Sequence, residues 1–306
     1  MAKQGQTGIV WTDETWNPVT GCTKVSQGCK HCYAERDWAR LQHLPRFAGR
    51  EFSDVDFHPG RLDQPIRWAK PRRIFVNSMS DLFHEDIPIG FIDEVFAVMA
   101  LAKQHTFQVL TKRPERMREY ARGNWHPRIM GHMRKFGRIP DGRGVMLQTI
   151  NGSLPNVWLG VSVEDQATAN QRIPILLQTP SAVRWISAEP LLGPVNIQSA
   201  INLMPWQIAA GDAGLHWVVV GGESGPKARP MHPDWVRSLR DQCAAAVVPF
   251  LLKQWGEWAP NCLCFRIDAC KTTPRPGPGK PGCMFRCGKK AAGRLLDGVQ
   301  HDGYPA

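Results

Sequence analysis

Three cysteines near the start of the chain bring the most reactive side chains together: Gly21-Cys22-Thr-Lys-Val-Ser-Gln-Gly28-Cys29-Lys-His31-Cys32-Tyr33-Ala-Glu35. Cys29 and Cys32 are separated by two residues, so one loop can aim both thiolates at a single metal centre. Cys22 can fold back through the six intervening residues, aided by Gly28. Zinc in a structural site is usually held by four protein ligands. Three thiolates with no obvious fourth partner fit a cubane iron–sulfur cluster better, because one iron then stays open to bind a small molecule. The rival is a structural zinc loop completed by His31 or by a distant residue. Glu35 either orients a ligand or starts a helix.

Cys262, Cys264, Cys270, Cys283 and Cys287 form a second, looser set whose spacings match no strong template. They offer an auxiliary cluster or zinc site, or are scattered thiols in a variable tail. Cys243 lies in a helical pattern before three alanines and reads as core.

The elements that must position these residues are legible as apolar runs. Arg73–Asn77, Phe107–Thr111, Val157–Val163, Val183–Ser187, Trp217–Gly221 and Pro249–Lys253 are nearly continuous runs, as in parallel strands covered on both faces. Helical patterns fall between them at Tyr33–Leu44, Gly90–Gln104, from Pro114 onward, at Glu164–Gln178 and at Pro233–Ala246, with a short one at Lys289–Leu296. With one more strand before Cys22, the alternation predicts an α/β fold, a partial or complete (β/α) barrel of about six to seven parallel strands. Four strands run into similar polar tips: Asn77-Ser78-Met-Ser80-Asp81, Val-Ser-Val-Glu164-Asp, Ile-Ser-Ala-Glu189-Pro and Gly221-Gly222-Glu223-Ser. Each acid alone reads as a helix cap. Repeated four times at the C-terminal ends of barrel strands, they predict a ring of hydrogen-bonding groups around one pocket.

Two segments break this rhythm. Residues 122–150 form a basic, Gly-containing insertion with Trp125, His126, His132 and Phe136, where Trp125 could stack on a base. The barrel is expected over residues 1–259, with a Cys/Pro/Gly-rich extension at 260–306. The net charge of +11 is concentrated. Residues 112–143 hold ten Lys/Arg against three acids, and residues 262–294 hold eight against one. These basic segments predict a polyanion, nucleic acid above all, as partner. No apolar run is long enough to span a bilayer and the N-terminal residues are polar, so a cytoplasmic protein with no membrane contact is expected. The sequence is silent on oligomeric state.

The cysteine loop, placed after an N-terminal strand and before repeated β/α units, resembles that of the radical S-adenosylmethionine (SAM) superfamily. More narrowly, the chain is similar to a phage- and prophage-associated three-cysteine-motif family. That likeness is carried by Thr15-Trp-Asn-Pro-Val-Thr-Gly-Cys22, Phe75-Val-Asn-Ser-Met-Ser-Asp-Leu-Phe83, Leu110-Thr-Lys-Arg-Pro-Glu-Arg116, Trp158-Leu-Gly-Val-Ser-Val-Glu-Asp165, Ser187-Ala-Glu-Pro-Leu-Leu192, Gly221-Gly-Glu-Ser-Gly-Pro226 and Lys253-Gln-Trp-Gly-Glu257. The resemblance implies that Cys22, Cys29 and Cys32 hold a 4Fe–4S cluster whose open iron binds SAM. An electron from a donor partner would then give a 5′-deoxyadenosyl radical. His31 stands where superfamily members usually carry an aromatic residue near the adenine. Asn77, Ser78, Ser80 and Asp81 are the expected SAM contacts by position, with Glu164, Glu189, Gly221, Gly222 and Glu223 on later strand tips. Gly221-Gly222-Glu223 follows a late strand rather than the second one, where the superfamily's Gly-Gly-Glu usually lies. DNA modification or lesion repair is the activity implied, by fold-level analogy. A non-catalytic, metal-stabilised nucleic-acid-binding protein and a radical enzyme acting on a peptide or small metabolite are the alternatives.

Overall fold

The apolar runs do form strands, shifted by a residue or two at their ends. The structure, a computed structural model, describes residues 7–45, 47–136, 149, 152–201, 214–260 and 284–305. Its principal strands are β1 (Glu14–Trp16), β2 (Arg73–Val76), β3 (Thr106–Thr111), β4 (Val157–Ser162), β5 (Val183–Ala188), β6 (Trp217–Gly221) and β7 (Phe250–Gln254). Their order in the sheet is the order of the sequence, which gives the seven-stranded partial (β/α) barrel class expected. β1–β2, β2–β3 and β3–β4 pair in parallel, as do β5–β6 and β6–β7.

The chain divides into two compact units, Met1–Val25 with Ala34–Val161 and Ile175–Arg184, and Ser26–Tyr33 with Ser162–Pro174 and Trp185–Ala306. In the first unit Trp16, Ile74, Val76, Phe107 and Val109 are buried on the strands. α2 (Ile89–Leu101), which follows α1 (Tyr33–Leu41) in the chain, buries Ile92, Val95, Phe96, Val98 and Met99. α1 is shorter than its pattern suggests because Pro45 disfavours helical backbone at the residue before it. Pro114 does open α3 (Pro114–Arg122) at its first position. The second unit is centred on β6, buried along its whole length, with Trp185 and Trp217 rings 5.2 Å apart.

Three expectations need correction. The first half of the basic insertion is a helix, α4 (Trp125–Lys135), and part of the core. Trp125, Ile129 and Met133 recur at helical spacing and are buried. Arg128 Nε donates to Asp93 Oδ2 at 2.8 Å and Lys135 Nζ to Glu94 Oε1 at 2.6 Å, so α4 is fastened to α2. Trp125 is 3% exposed and its indole donates to Ala121 O, so it is core and no platform for a base. The helix expected at Glu164–Gln178 is α5 (Gln166–Leu177), since the Asp165 carboxylate accepts from Thr168 N and caps it, leaving Glu164 outside. The helix expected at Lys289–Leu296 stops at Ala292, where Gly293 takes φ +62°, and Leu295–Leu296 pairs instead with Val299–Gln300.

The end of the chain returns to the sheet. After α6 (Pro233–Ala245) and β7, Trp258–Pro260 pairs with Met284–Arg286, and His301 and Gly303 bond to Leu252 and Phe250. The outer edge of β7 is thereby covered. No helix among the described residues is long and apolar enough to cross a membrane.

Candidate functional site

In the first unit the tips of β2 and β3 hold the turn that ends in Cys22. Gly21 adopts φ +91°, and a Cβ there would lie 2.2 Å from Asp54 O, so only glycine fits. Gly21 N donates to Met79 O at 3.0 Å and Ser80 Oγ to Gly21 O at 2.6 Å. Ser78 Oγ donates to Asn17 Oδ1 at 3.2 Å. The two serines thus fix the backbone that carries Cys22. Asn77 sits in the left-handed region at φ +59° with its Oδ1 accepting from Val19 N. Its Nδ2 is buried with no hydrogen-bond partner among the described residues.

Asp81 ties β2 to β3: Oδ1 accepts from Thr111 Oγ1 at 2.6 Å and Oδ2 from Lys112 N at 2.9 Å. Its Oδ2 also accepts from Arg113 Nη1 at 3.3 Å. That same Nη1 lies 3.7 Å from Cys22 Sγ, while Arg113 Nε donates to Glu85 Oε2 at 2.7 Å and Nη2 to Thr23 Oγ1 at 2.8 Å. Burial works against the Arg113 charge, but Glu85, Asp81 and Cys22 outweigh it and raise its pKa. The Arg113 hydrogen bond holds Glu85 down at about 2. Burial and the Arg113 charge lower the pKa of His84, whose Nδ1 accepts from Asp86 N and whose Nε2 meets Thr23 Oγ1 at 2.8 Å. A cavity of about 480 Å³ opens beside Cys22, bounded by Lys24, Glu35, Trp38 and Phe52. Glu35 pairs with Lys24 at 2.8 Å from the first turn of α1.

In the second unit two of the strand-tip acids, Glu164 and Glu223, hold the turn at the start of the loop that carries Cys29, His31 and Cys32. Gln27–Cys29 forms a tight helical turn, with Ser26 Oγ 3.8 Å from Cys29 Sγ and donating to Glu164 Oε1 at 2.8 Å. Glu164 is fully buried and both its oxygens accept from Arg172 Nη1 at 3.2 Å. Gly28 lies so close that a Cβ would stand 2.5 Å from Glu164 Oε1. Arg229 Nη2 donates to Gln27 O at 3.0 Å and to Glu223 Oε1 at 2.7 Å. Burial pushes the Glu223 carboxyl up, but Arg229 and the nearby His31 hold it below the usual range. Glu189 takes Lys253 Nζ at 2.7 and 2.8 Å and faces Gly221, where a Cβ would meet its Cδ at 2.9 Å. A Cβ on Gly222 would strike Trp255 O at 2.0 Å.

The four acidic tips are therefore each engaged by a basic partner. In the first unit Arg113 and the Ser78/Ser80 turn act on Cys22, and in the second Arg172 and Arg229 act through Glu164 and Glu223 on the cysteine loop. Arg172 had a signal in the sequence, an arginine in the stripe shared by Ala169, Ile173 and Leu176 of α5, where a buried charge needs a buried partner. Arg229 lies between Gly225 and Pro230 and had none. Cys22, Cys29, Cys32 and Cys287 are half-buried thiols. Cys243 is free and buried, and burial pushes it up to about 12, so it is inert core. Among the described residues no three His, Cys, Asp or Glu side chains converge as one metal ion requires. Cys262, Cys264, Cys270 and Cys283 lie outside the described residues.

The family described as Protein of unknown function (DUF5131) matches residues 6–305. No curated protein sequence matches. Among solved structures, a mutant of spore photoproduct lyase is similar to this chain at 10% identity with a TM-score of 0.41, covering 93% of this chain and 70% of that one.

Proposed function

The chain belongs to the DUF5131 family, and we propose that it is a radical SAM enzyme in which Cys22, Cys29 and Cys32 hold a 4Fe–4S cluster. The donor set fits that group. All three thiols are half-buried, and Arg113, Glu164 and Arg229 are spent on holding the stretches that bear Cys22 and Cys29. That expenditure is the observation that carries the reading. When bound, the cluster supplies the electron that cleaves SAM to methionine and a 5′-deoxyadenosyl radical. Asn77 offers SAM an unused donor, since leaving a buried amide unpaired costs about 1–3 kcal/mol. Ser78 and Ser80 serve by holding the Cys22 turn, and Arg229 and Glu164 by holding the turn before Cys29.

Nucleic acid is the proposed substrate class, as DNA modification or lesion repair, resting on the eight Lys/Arg against one acid in residues 262–294 and on the cations of 112–143 other than Arg113, Arg128 and Lys135, which are paired with acids. Binding of labelled oligonucleotides should then weaken steeply with salt, and no binding at low salt removes this substrate class. The cluster is tested by anaerobic reconstitution followed by iron, sulfide and zinc analysis. The wild type should take up iron and sulfide, and a variant with Cys22, Cys29 and Cys32 replaced by Ala should not. Stoichiometric zinc in place of iron, or equal iron in both proteins, overturns the reading.

A further inference from the structure

We infer that Arg113 is a positioning residue that sets the reduction potential of the centre held at Cys22, an inference that rests on the cluster reading above. Arg113 is 9% exposed and its guanidinium cannot swing freely, because Asp81 Oδ2 at 3.3 Å and Glu85 Oε2 at 2.7 Å fix it from two sides. Thr23 Oγ1 accepts from Nη2 at 2.8 Å and completes the fixation. What remains of Nη1 is directed at Cys22 Sγ, 3.7 Å away, within hydrogen-bond reach for sulfur. The charges and titratable groups around this guanidinium are Asp81, Glu85, Cys22 and the buried His84, which reaches it through Thr23.

A cation that donates to a ligand sulfur stabilises negative charge on it. Reduction adds one electron to a thiolate-ligated cluster, so the reduced form gains more from Arg113 than the oxidised form does. Charge and hydrogen bonds at the sulfurs are among the levers by which a protein moves a cluster potential. Glu85 tempers this lever from the outside. It is 62% exposed on its side chain, yet its carboxylate sits on Nε and offsets part of the guanidinium charge. The two side chains therefore act in opposite directions on the same sulfur.

The test is a redox titration with dithionite, followed by electron paramagnetic resonance, of anaerobically reconstituted wild type, Arg113→Gln and Glu85→Gln. Arg113→Gln should move the midpoint to more negative potential, by at least tenfold in the reduction equilibrium, or about 59 mV for one electron. Glu85→Gln should move it the other way. If Arg113→Gln fails to fold because Asp81 is left buried and unpaired, the exposed Glu85→Gln substitution decides alone. Clusters of wild-type iron content with unchanged midpoints overturn the role of Arg113 and leave the cluster reading standing. Wild-type protein that takes up no iron overturns both.

Discussion

Gly28→Ala is the most informative single substitution in the cysteine loop, because it probes the close approach without removing any polar group. Gly28 does not need left-handed backbone, so the cost is steric alone. The new methyl would lie 2.5 Å from Glu164 Oε1 and 2.6 Å from its Cγ, about 1 Å inside ordinary contact. Either the loop or Glu164 must move by that amount. Glu164 is pinned by Ser26 Oγ at 2.8 Å and by Arg172 at 3.2 Å, and a displacement of ~1 Å stretches one of these beyond hydrogen-bond range. Losing a hydrogen bond to a buried charge costs about 1.5–3 kcal/mol. Overpacking adds roughly 1–3 kcal/mol. A loss of about 3 kcal/mol or more is expected, read as a fall in Tm of about 6 °C at roughly 2 °C per kcal/mol for a chain of this size. Urea unfolding should show the same loss at an unchanged slope. A variant within about 0.5 kcal/mol of wild type would refute the reasoning, since it would show that Glu164 has room to yield.

Gly222→Ala should be more damaging than Gly28→Ala, because its Cβ meets the backbone oxygen of Trp255 at 2.0 Å and not a side chain. A smaller loss of Tm at Gly222 would reverse that ordering. Glu85 titrates at about 2 in the folded chain against 4.5 ordinarily, so the stability it contributes is present above about pH 4.5 and is lost as pH falls toward 2. The Tm difference between wild type and Glu85→Gln should accordingly be constant near neutrality and shrink below pH 4.5, and a constant difference down to pH 2.5 contradicts the assignment.

The strands were legible because parallel strands are apolar on both faces. Val218, Val219 and Val220 could not be read as anything else. The acids at the strand tips were legible as a repeat, but their partners were not. Arg172, Arg229 and Lys253 lie 8, 6 and 64 residues from the acids they engage, and only the fold shows which cation meets which carboxylate. Charge counting misjudged α4 for a related reason. Arg128 and Lys135 add to the positive total of their segment, yet each is spent on an acid of α2. The return of His301 and Gly303 to β7 was hidden because the short stretch His301-Asp302-Gly303 carries no strand pattern.

The most direct test of the central claim is the yield of 5′-deoxyadenosine from SAM after anaerobic reconstitution and reduction, compared between wild type and the single Cys22→Ala, Cys29→Ala and Cys32→Ala variants. The account predicts product from wild type and none from any of the three. Product at the wild-type yield from any one variant, or none from a wild type that has taken up its iron and sulfide, would contradict it.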